Sequence, residues 1–69
     1  MKGRVVALTA TDGTIASDTA QSCPYHFTEA VYFGDWAALQ ADFGAGATIR
    51  VTFKPNAATG EASVVRRIP

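Results

Sequence analysis

Cys23 and His26 are the first pair of residues that could carry chemistry, because two residues separate them and this spacing occurs in metal sites. A structural zinc ion takes four ligands, and the chain holds one Cys and one His, so two carboxylates would have to complete a site. A Cys–His nucleophile is also disfavoured, because residues three apart on an extended strand point to opposite faces. We therefore expect no metal site, and we interpret Cys23 as a small buried thiol beside Pro24.

Two further patterns associated with phosphate binding or catalysis are present only in part. Gly44-Ala45-Gly46 has the glycine content of a phosphate-binding loop, but such loops follow a strand and precede a helix, whereas here a predicted helix comes first. The Asp and Glu residues are isolated along the chain, so their spacing indicates no pair for general acid–base catalysis. The sequence predicts a helix end and a turn at these glycines, and neither an enzyme nor a cofactor.

Charge is balanced in total but uneven along the chain. The chain contains six Lys and Arg residues and six Asp and Glu residues. The net charge is +2 over residues 1–8, −5 over residues 9–48 and +3 over residues 49–69. A domain that binds polyanions through its overall field would carry a large positive total. Binding of nucleic acid would therefore need both basic ends of the chain on one surface. The alternative interpretation is that short solvated strands simply carry Lys and Arg.

The elements that must position these residues are mostly short strands. Residues 2–8 are β-prone and end at a Thr-Asp-Gly turn signal, and further strands are predicted at 14–17 and 23–27. After residue 46 the pattern alternates, so that Ile49, Val51 and Phe53 share one face. A turn-rich connection is predicted from Lys54 to Gly60. Residues 62–68 form the last strand, whose register is open because adjacent valines at 64 and 65 both favour burial.

One segment has helical periodicity instead. Trp36, Leu39 and Phe43 fall on one face of a helix over residues 35–43, which predicts core packing for all three. Asp35 is a suitable N-cap, because its carboxylate can accept hydrogen bonds from the free amides of the first turn. Gly44 lies where a helix-terminating glycine is expected.

This order of elements predicts an all-β fold, a small five-stranded Greek-key barrel of the OB type with one short helix between strands 3 and 4. A half-open five-stranded sheet with the helix across one face is the alternative. At 69 residues the chain is expected to be one domain. It has no apolar stretch near the ~20 residues that span a membrane, no signal-peptide core, and a single Cys that suits a reducing compartment. We expect a cytoplasmic protein.

Four short segments resemble the cold-shock domain family, in the same order and over nearly the whole chain. They are Lys2-Gly3-Arg4-Val5-Val6, Gly13-x-Ile15, Tyr25-His26-Phe27-Thr28 and Thr59-Gly60-Glu61-Ala62-Ser63-Val64-Val65. Members of this family are OB barrels that bind single-stranded RNA or DNA by stacking bases on exposed aromatic rings. The resemblance implies that fold and that function here, with His26 and Phe27 as rings at matching positions.

Several ring positions of the family hold other residues in this chain. Ala7 stands near the position of the strand-one Trp, Asp12 and Thr14 near two Phe positions, and Pro24 at a third. Stacking contributes about 1 to 3 kcal/mol per base, so the loss of four rings predicts binding weaker by on the order of a thousandfold.

Two functions from different classes follow. The first is weak binding of single-stranded RNA or DNA, with stacking at His26 and Phe27. Tyr25 is a further ring candidate, for which the sequence leaves barrel rim and stacking platform open. The candidate phosphate contacts are Lys2, Arg4, Arg50 and Arg66, because pairing of the first and fourth strands in an OB barrel would bring Arg4 and Arg50 onto one side. The second is a degenerate cold-shock-like module for a protein partner or self-association.

Overall fold

Five strands close into a barrel in the order β1-β2-β3-β5-β4. The computed structural model describes residues 1–18 and 24–68. Neighbouring strands are antiparallel, except that β3 and β5 run parallel. The predicted OB-type barrel is confirmed, and the half-open sheet is wrong because β1 pairs with both β2 and β4. The strands are β1 (Lys2–Leu8), β2 (Asp12–Ser17), β3 (Tyr25–Thr28), β4 (Arg50–Asn56) and β5 (Glu61–Arg67).

The barrel interior is filled by side chains from alternate strand positions. Ile15, Phe27, Val51 and Val65 are fully buried, because a period of two sends every second side chain of a strand inward. The predicted inward face of Ile49, Val51 and Phe53 is confirmed. Among the described residues, the buried hydrophobic side chains are Val5, Ile15, Tyr25, Phe27, Tyr32, Trp36, Leu39, Ile49, Val51, Phe53, Ala62 and Val65.

One α-helix, α1 (Trp36–Gly44), lies between β3 and β4 and follows a 3₁₀ turn at Glu29–Val31. The predicted cap is confirmed, since the Asp35 carboxylate accepts from the amides of Ala37 at 3.0 Å and Ala38 at 3.2 Å. The predicted helix end and turn at Gly44-Ala45-Gly46 are confirmed, although the glycine with the left-handed backbone is Gly46 and not Gly44. Gly44 is the last helical residue and Ala45 the C-cap, while the left-handed backbone that favours glycine occurs at Gly46, with φ +87°.

Trp36 closes the end of the barrel beside β1. Its indole Nε1 donates to the carbonyl of Ala10 at 3.0 Å, so the polar group of this buried ring is satisfied. The predicted core roles of Trp36 and Leu39 are confirmed, with 7% and 0% exposure. Phe43 is only half-buried, and it packs against the edge of the core. The helix therefore buries two side chains in its first turn and packs a third, half-buried one against the core in its last turn.

A β-bulge resolves the register of the last strand. Thr52 pairs with Arg66 and Lys54 with Ser63, so the register shifts between them. Val64 is the extra residue, with φ +50° and 42% exposure, while Val65 points inward. The bulge explains why two adjacent valines did not indicate one register.

Other element boundaries differ from the sequence prediction by one to three residues. β2 begins at Asp12 instead of Thr14, and β4 continues through Lys54, Pro55 and Asn56, which were predicted to form a turn. β3 was predicted to start at Cys23, but it begins at Tyr25, since Pro24 is not part of the strand; Cys23 itself lies outside the described residues. Within the described ranges, the structure contains no helix long and apolar enough to cross a membrane.

Gly13 is required by the packing between β2 and β3. A Cβ there would lie 2.7 Å from the Phe27 ring and 2.7 Å from Leu8 Cδ1. Because Phe27 is fully buried, its ring has no free space into which to move. We predict that Gly13→Ala destabilises the domain by about 1 to 3 kcal/mol, measured as a lower midpoint in urea denaturation.

Gly44→Ala is the matched control, because a Cβ at Gly44 meets no atom within 4 Å. We expect that variant to be neutral or more stable by up to about 1 kcal/mol, since alanine favours the helix. Equal midpoints for the two variants would contradict the tight packing assigned to Gly13.

Candidate nucleic-acid interface

The rings predicted to stack on bases lie mostly inside the barrel. Phe27 is 0% exposed and packs against Trp36, with ring centroids 5.7 Å apart. Tyr25 is 7% exposed and packs against Phe53 at 5.4 Å. A buried ring offers no open face to a base, so the stacking predicted for Phe27 is wrong. Tyr25, for which the sequence left barrel rim and stacking platform open, belongs to the core. The reason is the alternation of β3, which sends residues 25 and 27 inward and residue 26 outward.

His26 is therefore the one predicted stacking residue on the outer surface. Across the sheet it pairs with Thr14, and Thr14 pairs with Ala7. OB folds bind oligonucleotides on the face of strands 2 and 3. On this face the three described positions Ala7, Thr14 and His26 form one row, and only His26 carries a ring.

The His26 imidazole is held between two carboxylates. Its Nε2 lies 3.0 Å from Asp12 Oδ2, and its Nδ1 lies 3.7 Å from Glu61 Oε1. Asp12 also accepts a short hydrogen bond from the Thr9 hydroxyl. The pKa of Asp12 is lowered, with the hydrogen bond from the Thr9 hydroxyl as the largest cause and the hydrogen bond to His26 as the next. The same contact with Asp12 raises the pKa of His26. The β2–β3 face thus presents an acidic setting that disfavours phosphate.

The basic residues lie on the opposite part of the barrel. Arg4 pairs directly with Arg50, and Lys2, Thr52 and Arg66 form a row across β1, β4 and β5. Pairing of the first and fourth strands thus brings Arg4 and Arg50 together, as expected. We define the basic face as the exposed, outward Lys and Arg side chains of these three strands, namely Lys2, Arg4, Arg50, Lys54 and Arg66.

The cations differ in how far carboxylates neutralise them. Arg50 forms an ion pair with Asp18. Arg67 lies outside the basic face, because its backbone pairs with the inward residue Val51 and its guanidinium contacts Asp42 of α1. Within residues 1–18 and 24–68, no ion pair involves the other four cations, which are Lys2, Arg4, Lys54 and Arg66.

Two features beside the basic face were missed by the sequence interpretation. The guanidinium of Arg66 lies over the ring of Phe33, 5.2 Å from its centroid, and Phe33 is 57% exposed. An open groove of about 330 Å³ lies between β4 and β5, lined by Thr52, Phe53, Lys54, Val64 and Arg66. In the sequence, Phe33 lies between β3 and the helix. Because it belongs to neither periodic pattern, the sequence could have indicated that this ring is not part of the core. The groove depends on a bulge that the sequence does not specify.

Comparison with known proteins found no relative of this chain. No family model, no curated protein and no solved structure matches the chain. The resemblance to the cold-shock domain stays a prediction from the residues that carry it. For the described residues, no group of three or more His, Cys, Asp or Glu side chains is arranged to hold a metal ion, and Cys23 lies outside them.

The contact between His26 and Asp12 predicts a pH dependence. Because folding raises the pKa of His26, its contribution to stability is fully present below the unfolded pKa of about 6.5. That contribution is lost as pH rises through the folded pKa. Since the chain has one His, an NMR titration of its Cε1 proton reports the folded pKa directly.

We predict that Asp12→Asn lowers the pKa of His26 markedly, whereas Glu61→Gln lowers it less, because the Asp12 hydrogen bond is the larger cause. An unchanged titration curve in the Asp12 variant would contradict the contact.

Proposed function

We propose that this domain binds single-stranded nucleic acid weakly, through contacts of the basic face with the phosphate backbone. The observation that carries the proposal is the clustering of five of the six basic side chains on the outer surface of β1, β4 and β5. Four of these cations have no ion-pair partner among the described residues. Their charge is therefore available to a polyanion even though the net charge of the chain is zero.

The usual OB surface does not serve this function here. On the β2–β3 face, Asp12 and Glu61 flank the single exposed ring, His26, and both carboxylates repel phosphate. Binding at the basic face needs neither Phe27 nor Tyr25, both of which the core requires. Without a row of stacking rings the affinity is set mainly by counterion release, for which dissociation constants of about 10⁻⁴ to 10⁻⁶ M are typical.

We predict a salt-dependent affinity for a fluorescent oligo-dT of twenty residues, measured by anisotropy. Single strands give a slope of about −0.7 in log K against log salt per neutralised phosphate, so four free cations predict a slope near −2.8. Arg66→Ala should weaken binding and reduce the magnitude of the slope by about 0.7.

Arg67→Ala is the matched control, because it removes the same charge from the neighbouring residue. Arg67 contacts Asp42 and lies outside the basic face, so its loss should change the slope little. Equal effects of the two variants would indicate attraction by charge alone, and no binding at low salt would contradict the proposed function.

Self-association or binding of a protein partner is the second candidate function. Exposed Phe33 and Val64, at 57% and 42%, favour it, because exposed apolar side chains can contribute to protein interfaces. Sedimentation equilibrium at protein concentrations from about 10 to about 500 µM separates the two functions. A concentration-dependent dimer that Phe33→Ser abolishes would support this candidate, whereas a monomer throughout would count against self-association.

A further inference from the structure

We propose that Phe33 stacks with one unpaired base of the bound strand, while Arg66 beside it contacts an adjacent phosphate. This inference rests on the proposed function and gives the basic face one base contact in addition to its phosphate contacts. The occupant is a nucleotide of single-stranded RNA or DNA, because an unpaired base leaves a face free to stack on a ring at the protein surface.

Phe33 has an accessible ring, in contrast to the aromatic residues of the core. It is 57% exposed, and a ring with both faces covered would not be exposed to this extent. The guanidinium of Arg66 lies 5.2 Å from the ring centroid, so the cation occupies one side of the ring and the remaining surface is open. Rings exposed in this way are the surfaces on which single-strand-binding proteins stack bases.

The backbone on both sides of Phe33 is anchored. Its amide donates to the carbonyl of Val65 at 2.8 Å, which fixes it beside β5. The preceding residue, Tyr32, is buried and packs against the ring of Trp36, with centroids 5.7 Å apart. Two residues later, Asp35 caps the first turn of α1. The side chain at position 33 is therefore held at the surface before a ligand binds, which lowers the cost of ordering it.

A row of polar and basic side chains leads across the basic face to this ring. Lys2 pairs with Thr52, Thr52 pairs with Arg66, and the Arg66 guanidinium lies over Phe33. Among the described residues, neither Lys2 nor Arg66 has an ion-pair partner, and Thr52 supplies a hydroxyl between them. Adjacent strands are about 4.8 Å apart, so the phosphate-binding groups lie close enough to the ring for one strand to contact both.

Charge favours a nucleotide over an apolar protein surface as the occupant. An apolar partner that covered Phe33 would also cover the Arg66 guanidinium, which would then lose water without gaining a counter-charge. A nucleotide supplies a flat ring for Phe33 and a phosphate for Arg66. The contact between the two side chains also restrains the guanidinium, so Arg66 loses less freedom when it binds phosphate.

The experiment compares oligo-dT with an abasic oligomer of equal length and charge, both titrated by anisotropy at low salt. Backbone contacts are the same for the two, so only base contacts separate them. We expect oligo-dT to bind at least about fivefold more tightly, the lower end of the range for one stacked base. Phe33→Leu should weaken oligo-dT toward the abasic value and change the abasic oligomer little, because leucine keeps apolar bulk without a flat ring. Phe33→Trp should retain the preference.

Val6→Ala is the matched control, because Val6 is another exposed apolar residue, at 41%, and lies on β1, which β4 separates from β5. It should leave both affinities unchanged. Phe33 lies outside the buried cluster, so its variants should keep the urea midpoint of the native chain. As a readout that needs no variant, the ring protons of Phe33 should shift upfield with oligo-dT and not with the abasic oligomer.

The outcomes separate this inference from the proposed function. Equal affinity for the two oligomers, with the Phe33 ring protons unmoved by oligo-dT, overturns the stacking site and leaves phosphate binding standing. Absence of binding to both overturns the proposed function and the inference together. Full oligo-dT affinity in Phe33→Leu also overturns the stacking site, because an apolar side chain without a ring would then suffice. Self-association that buries Phe33 and resists oligo-dT assigns the ring to a protein interface and overturns it as well.

Discussion

The packing of Phe27 at the centre of the barrel is the constraint on which the remaining structure depends. Its ring contacts Trp36 and Tyr32, with centroids 5.7 and 6.5 Å away, and leaves no room for a side chain at Gly13. This cluster joins the β2–β3 hairpin to the helix, and the Trp36 indole fixes the helix to the backbone after β1. Because the core uses these rings, the same alternation along β3 leaves His26 as the strand's only aromatic ring on the outer surface.

Charge separation follows from the strand order. The acidic middle of the sequence supplies β2, β3 and α1, whereas the basic ends supply β1, β4 and β5. Closing the barrel in the order β1-β2-β3-β5-β4 places the two basic ends side by side, so a chain of zero net charge acquires one basic face. The acidic contacts collect around His26, where Asp12 and Glu61 raise its pKa.

The fold was largely predictable from the sequence, and the candidate site only in part. Period-two alternation, the Asp35 cap and the Trp36-Leu39 spacing are local signals, and they correctly predicted three strands, a helix and two strands along the chain. The alternation of β3 buries Phe27, whereas the family resemblance implied an exposed ring. The Val64 bulge and the Arg66–Phe33 contact depend on strand register and on residues distant in sequence, which a local pattern does not encode.

The most direct test of the account is an amide chemical-shift map recorded while an oligo-dT is added at low salt. Binding at the basic face predicts the largest shifts on the outer positions of β1, β4 and β5, centred on the row of Lys2, Thr52 and Arg66, with small shifts around His26. Shifts centred on Thr14 and His26, or none at millimolar oligonucleotide, would contradict it.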